Sequence, residues 1–242
     1  MDKDVYKQYY ETVATQKNIW ETAKNSPMYF QEMIRYEAVL KHLPKTATRV
    51  VDLGCGDGYL SYLMAKSGHI VTSVDLSANR LKKFEQVAKE YHMEQVQADI
   101  KRTNLPSAFY DAVVCSEVLE HIEGYEDVLR EANRILKPGG TFLVTVPYNE
   151  QLKILICPHC HKPFYRDGHV NSFNKKNLAE SLAKSGFYVE RQTTFRSKLS
   201  VHLQYHFKLK YGIFLKGIDW IFSKMLPNFT FYLLVKSQKK IE

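Results

Sequence analysis

Glu117, Glu120 and His121 stand at i, i+3 and i+4 in the run Ser116-Glu117-Val118-Leu119-Glu120-His121-Ile122. On a helical turn this spacing puts two carboxylates and an imidazole on one face, while Val118, Leu119 and Ile122 pack elsewhere. Such a trio can act as a general base toward a hydroxyl, can hold a divalent cation, or can simply cap a turn. Cys157-Pro158-His159-Cys160 raises a separate question. A Cys-x-x-Cys knuckle supplies two thiolates to zinc, but a structural zinc needs four ligands and no second such pair exists, so His161, His169, His202 and His206 are the candidates for the remainder. The alternating polar and apolar residues of 200–211 predict a strand. Along a strand His202 and His206 lie about 13 Å apart, too far for one metal, whereas on a helix they would be one turn apart. Without a metal the knuckle reads as an ordinary loop with reduced thiols, or as a redox pair.

The element that must position these groups is read from Val50-Val51-Asp52-Leu53-Gly54-Cys55-Gly56-Asp57-Gly58-Tyr59. A buried strand runs into alternating glycines and then into an amphipathic helix with Leu60, Leu63 and Met64, which is where a parallel sheet binds ligands. The loop is not a dinucleotide fingerprint, because Tyr59 takes the slot of its third glycine. Asp52 and Asp57 would repel a pyrophosphate but suit a cation. S-adenosylmethionine (SAM) brings a sulfonium and an ammonium, and glycines let the backbone approach its methionine half. The next strand, 70–74, ends in Asp75, placed to accept hydrogen bonds from both hydroxyls of a ribose.

These residues resemble the class I SAM-dependent methyltransferases of the ubiquinone-biosynthesis (methyltransferase type 11-like) kind. Arg134-Ile135-Leu136-Lys137-Pro138-Gly139-Gly140 before an apolar strand adds to the resemblance. It implies an α/β fold with a Rossmann-like seven-stranded sheet, an N-terminal helical lid over 1–45, a SAM-binding core over 46–195 and 228–238, and an insertion, 196–227, before the last strand and over the substrate site. It also implies that Asp52, Gly54, Cys55, Gly56, Asp75, Leu76, Asp99, Ile100 and Ser116 surround the cofactor, with the Asp99 carboxylate toward the adenine amino group. Glu-x-x-Glu-His sequences occur both in ubiquinone-type O-methyltransferases and in small-RNA 3′-terminal 2′-O-methyltransferases, where a further histidine completes a metal site. By that likeness Glu117, His121 and His169 are the candidate catalytic residues. Glu117, Glu120, His121 and His169 are the candidate ligands of a divalent ion such as zinc or magnesium, and Cys157 and Cys160 those of a separate zinc. The expected activity is methyl transfer from SAM to an oxygen of a small-molecule acceptor. The alternatives are a metal-dependent RNA methyltransferase and a non-catalytic SAM-binding or zinc-knuckle interaction protein.

The patterning supports the same division. The helical leader carries Tyr9 and Tyr10, then Phe30, Met33, Ile34, Val39 and Leu40 between Pro27 and Pro44. Strands and helices alternate from Arg49: helix 59–67, strand 70–74, a helix to Tyr91 capped by Ser77, strands 95–98 and 111–115, helix 125–136 and strand 141–146. Helix 177–185, strand 187–195 and strand 229–235 complete the series. The net charge of +8 lies in the last 52 residues, where ten Lys/Arg face only Asp219 and Glu242. With Phe214, Ile218, Ile221, Phe222 and Met225 at helical spacing beside Lys216 and Lys224, this segment suits core packing, an anionic substrate, nucleic acid or peripheral contact with an anionic membrane. The charged start Met1-Asp2-Lys3-Asp4 and the absence of an apolar run of membrane length agree with a cytoplasmic location. Four cysteines, one in the glycine loop and one in a core strand, do not read as a disulfide framework. The oligomeric state is not encoded in any feature of the sequence.

Overall fold

Val50, Val51, Leu53, Val113, Val114 and Cys115 are wholly buried, so both faces of their strands must be covered, as in a parallel sheet flanked by helices. The computed structural model describes residues 11–12, 19–24, 26–207 and 212–241. Within them, α1 (Pro27–His42) precedes β1 (Arg49–Leu53), α2 (Tyr59–Lys66), β2 (Ile70–Asp75), α3 (Ala78–Lys83), α4 (Glu85–Glu90) and β3 (Glu94–Gln97). Then come β4 (Tyr110–Ser116), a 3₁₀ turn (Leu119–His121), α5 (Glu126–Ile135) and β5 (Leu136–Pro147). A hairpin of β6 (Ile154–Ile156) and β7 (Pro163–Tyr165) leads to α6 (Lys175–Lys184), β8 (Phe187–Ser197), α7 (Lys198–Phe207), α8 (Ile213–Met225) and β9 (Thr230–Lys239).

The main sheet has seven strands in the order β3-β2-β1-β4-β5-β9-β8. β9 pairs antiparallel with both β5 and β8, and the other neighbours are parallel. The seven-stranded Rossmann-like expectation is met. Strand order reverses between β1 and β4, and a crevice opens there at the carboxyl ends of the strands. Alternate residues of the central strands feed two cores. Val51, Leu53, Val113, Phe142 and Val144 pack with Leu129, Ala132 and Ile135 of α5 and Leu178 and Leu182 of α6. Val50, Val71, Ala112, Val114 and Leu143 pack with Val39 of α1, Leu60 and Met64 of α2 and Leu81 of α3.

Several local expectations are corrected. The helix capped by Ser77 is two short ones. Ser77 does accept from the Arg80 N–H at 3.2 Å, but the chain breaks at Phe84. The Phe84 ring is 1% exposed and lies so close beneath Gly58 that a Cβ there would meet it at 2.4 Å. The predicted strand over 200–211 is instead α7, with 208–211 outside the described residues. Here period-two alternation loses to a buried charge. The Arg196 guanidinium, 0% exposed, donates to Ser200 at 3.0 Å and to Gln204. Those two residues reach one cation only when they are a helical turn apart. Asp219 of α8 closes the cluster, 3.5 Å from Arg196 and accepting from the Ser197 N–H at 2.7 Å. On its other side α8 exposes Ile213, Phe214, Trp220, Ile221 and Met225. Tyr9, Tyr10 and most of the first predicted helix lie outside the described residues. No helix among the described residues is long and apolar enough to cross a membrane.

Candidate active site

Gly54, Gly56 and Gly58 all have positive φ, +74°, +54° and +71°, a region that costs a side chain strain. The turn is tied to β2: the Gly54 and Cys55 N–H groups donate to Val74 O at 2.8 and 3.0 Å. Asp75 then fixes the loop with its carboxylate, which accepts from the Gly56 N–H at 2.9 Å and the Ser77 N–H at 2.9 Å. Burial raises the Asp75 pKa, against the lowering effect of those two bonds. Asp52, 2% exposed, accepts from the Ser61 hydroxyl at 2.6 Å. Burial pushes its pKa up to about 7, opposed by the Ser61 bond and helped by the charge of Asp75. Burial likewise holds the Cys55 thiol well above its usual range, so it stays protonated.

Two cavities adjoin over this loop. The larger, about 350 Å³, is lined by Asp52, Gly54, Cys55, Gly56, Ser116 and Glu117, and roofed by Met28, Glu32, Arg35 and Tyr36 of α1. The smaller, about 170 Å³, is lined by Asp75, Leu76, Asp99, Ile100, Val118, His121 and Ile122. Gly54, Gly56, Arg80 and Glu117 line both. All nine residues expected around a cofactor therefore face one continuous cleft. The leader closes over it: Trp20 donates to Asp57 O at 2.6 Å and packs edge-on to Tyr59, with 4.6 Å between ring centroids.

Glu117, Glu120 and His121 do not share a helical face. Glu117 has a left-handed backbone, φ +55°, held by donation of its N–H to Thr145 O at 2.9 Å. An outlier of this kind costs about 1–3 kcal/mol and persists only where the surroundings impose it. It turns Glu117 toward the cleft, 3.7 Å from Arg35, with Oε1 buried and without a hydrogen-bond partner. Burial raises the Glu117 pKa, and Arg35 opposes the shift. Glu120 is 1% exposed. Burial and the neighbouring Glu117 charge push its pKa well up.

His169 reaches the same place through its backbone. The Val170 and Asn171 N–H groups donate to Glu120 O at 2.7 and 3.0 Å, and the Asn171 amide donates to Leu119 O and Ile122 O at 2.9 and 2.8 Å. The His121 and His169 ring centroids are 4.6 Å apart. His121 Nδ1 lies 3.2 Å from Gly168 O and His169 Nδ1 lies 2.5 Å from a Glu150 carboxylate oxygen. Each of these contacts is satisfied by a proton on Nδ1. Burial, then the proximity of His169, pushes the His121 pKa down to about 4. Ligand atoms of Glu120, His121 and His169 all lie within 4.8 Å of one another, and Glu120 Oε2 has no hydrogen-bond partner. The donor set fits a divalent cation; Glu117 is not part of it.

Among the described residues no other cluster of three such ligands occurs. His161, His169, His202 and His206 therefore do not complete a site with Cys157 and Cys160. His202 and His206 do stack, 4.2 Å between centroids, as a helix predicts. Arg35 is the cleft-lining side chain missed from sequence. Its only signal was a charged residue inside the apolar stripe of α1. The guanidinium is paired with Glu32 and Glu117 and lies 5.8 Å from the Tyr232 ring centroid.

Comparison with known proteins bears on this cleft. A family model described as a methyltransferase domain matches residues 19–192. The ubiquinone biosynthesis O-methyltransferase of Xanthomonas oryzae pv. oryzae is 33% identical over 126 residues, 49% of this chain and 51% of that one. The chain thus spans about half the length of the curated relatives it matches. Among solved structures, an S-adenosylmethionine dependent methyltransferase from Mesorhizobium loti superposes with a TM-score of 0.62 at 20% identity, over 84% of this chain and 96% of that chain. The complex between the Haloferax volcanii Trm112 methyltransferase activator and a methyltransferase gives 0.69 at 17% identity, over 96% and 98%. At such identities the likeness shows the fold.

Proposed function

Because the chain belongs to the methyltransferase domain family, we propose that it transfers the methyl group of SAM to an oxygen of a small-molecule acceptor, with Glu117 taking the acceptor's proton. It is a SAM-dependent methyltransferase; the acceptor, the atom methylated and the residue roles are the proposal. The observation that carries it is that Glu117 is the one carboxylate common to both cavities. Asp75, Leu76, Asp99 and Ile100 of the smaller cavity would hold adenosine, and the larger cavity would hold the methionine half. The larger cavity suits a zwitterion: Asp52 faces the ammonium and Arg35 the carboxylate. SAM held there would supply an electrophilic methyl group and keep the S–CH₃ electron pair on sulfur as the methyl left, and Glu117 at the junction would take the proton of the acceptor hydroxyl. A carboxylate whose affinity for protons is raised by burial is suited to that task. Alignment of the oxygen with the C–S bond supplies most of the remaining acceleration. The O-methylation named for the Xanthomonas relative supports the choice of oxygen.

Transfer of labelled methyl from SAM to a panel of hydroxylated aromatics tests this reading. Glu117→Gln should lower kcat by about 10²–10⁴-fold while SAM affinity stays within a few-fold. Wild-type turnover by that variant would remove Glu117 from the chemistry.

A second reading, metal-assisted methylation of a diol such as an RNA 3′ terminus, is favoured by the Glu120–His121–His169 cluster, whose ligand atoms lie within 4.8 Å of one another. A divalent ion held there would lower the pKa of a nearby hydroxyl. RNA binding with a steep salt dependence, and metal lost with His121→Ala, would favour it.

A further inference from the structure

The Arg196–Asp219 ion pair fixes which side of α8 faces the protein. Asp219 is 8% exposed, lies 3.5 Å from the wholly buried Arg196 guanidinium and accepts from the Ser197 N–H at 2.7 Å. Leu215, one turn earlier on the same side, is buried as well. A helix held in this register cannot roll to hide its other face, because turning it would strand a buried charge. The face left outside is apolar. Ile213, Phe214, Trp220 and Met225 are 92%, 68%, 65% and 75% exposed, and Ile221 lies among them. At 3.6 residues per turn these five fall within about 140° of the helix circumference. Gly217 shares that arc, and a Cβ built on it would meet nothing within 4 Å. No residue of α8 lines either cavity of the cleft.

The charge around this face has one sign. Between residues 197 and 230 the basic side chains of ordinary charge are Lys198, Lys208, Lys210, Lys216 and Lys224, and Asp219 is the one acidic residue. Lys208 and Lys210 lie outside the described residues. The Asp219 charge is directed inward to Arg196, so the stretch turns cations outward without carboxylates. Lys198, Lys216 and Lys224 are exposed. Lys216 stands at one edge of the apolar arc. Lys224 stands inside it, where a long stem can lie along apolar surface and lift its ammonium toward anionic headgroups.

This combination selects among occupants. The cores of protein interfaces are depleted of lysine. A helix lying in the plane of a bilayer interface instead carries Trp, Phe and aliphatic residues on one side and lysines beside them. α8 has 13 residues and is about 20 Å long, shorter than the roughly 30 Å hydrocarbon core, so it would lie along the surface rather than cross it. We propose that α8 docks this protein on the surface of an anionic phospholipid bilayer, with Phe214, Trp220 and Met225 entering the acyl boundary and Lys216 and Lys224 meeting the lipid phosphates. The contact lies outside the cleft and does not depend on the acceptor or on the residue roles proposed there.

The test floats untagged full-length protein with vesicles of phosphatidylcholine alone and of equal parts phosphatidylcholine and phosphatidylglycerol, at low and high salt, beside light scattering without lipid. The expected result is binding to the anionic vesicles alone, weakened as salt is raised. Lys216→Gln/Lys224→Gln should lower the partition coefficient about 25-fold, from about five-fold per lysine. Phe214→Ser/Trp220→Ser/Met225→Ser changes exposed positions only, and should abolish binding while the melting transition stays as in the wild type. Trp220 emission, taken as the difference between wild type and Trp220→Phe, should shift to the blue on binding and be quenched by phosphatidylglycerol brominated in its acyl chains. No binding to anionic vesicles, equal binding to both kinds, full binding by the serine variant, or a lipid-free dimer that the serine variant dissolves would each overturn the proposal.

Discussion

Asp52 offers the sharpest test of how the cleft takes its cofactor. Without ligand its carboxyl is almost wholly buried, has one hydroxyl donor and lies near a second carboxylate, and its pKa is pushed up to about 7. A ligand carrying a sulfonium and an ammonium favours the ionised form, so binding must expel the proton from whatever fraction of molecules holds it. If the pKa of the complex is far lower, the protonated fraction weakens apparent affinity by about 11-fold at pH 6 and about 1.1-fold at pH 8, so Kd falls about 10-fold between them, or about 1.4 kcal/mol. Calorimetry at both pH values, each in two buffers of different ionisation enthalpy, should show nearly one proton released at pH 6 and about a tenth of one at pH 8. The ligand's own amino group titrates in this range, which Asp52→Asn controls for, because the variant keeps that contribution and loses only the carboxyl. Identical pH dependence and proton release in wild type and variant would refute the reasoning.

Two further outcomes follow from the loop. Asp75→Ala removes a charged acceptor worth about 1.5–3 kcal/mol per hydrogen bond, so with two ribose hydroxyls SAM affinity should fall about 10²–10⁴-fold by calorimetry, and a change under three-fold would withdraw Asp75 from the cofactor site. Gly54→Ala would set a methyl group 2.6 Å from Val118 Cγ2 at φ +74°. It should cost about 1–3 kcal/mol in urea unfolding; adding Val118→Ala should recover the steric share and leave the backbone share, so simple additivity of the two would contradict the contact.

The sheet was legible because its signals are local and repeat: buried aliphatic runs, glycines at strand ends, a serine cap at Ser77. The same holds for Asp75, whose distance from the glycine loop is fixed by one strand-helix-strand unit. Geometry that depends on distant partners was not legible. Nothing within 200–211 shows that Arg196 and Asp219 will bury a charge pair that only a helix can satisfy. Glu117 falls outside the helical turn because Thr145, from the next strand, holds its backbone left-handed. Arg35 could not be placed because its partners Glu117 and Tyr232 lie far along the chain.

The excursion that carries the hairpin leaves the sheet after β5 and returns where it left. Tyr148 bridges to Phe173, and the Asn149 N–H donates to Phe173 O at 2.8 Å. The neck is closed by backbone contacts, and doubling the length of what hangs from it costs only about 0.6 kcal/mol in loop-closure entropy. The segment is therefore a cassette. Its outer part, the hairpin beyond the Arg166 N–H to Lys153 O bond at 2.9 Å, can lengthen, shrink or be exchanged while Gly168, Val170 and Asn171 keep their bonds to the 119–122 turn beside the cleft, so the hairpin can diversify as a separate heritable trait.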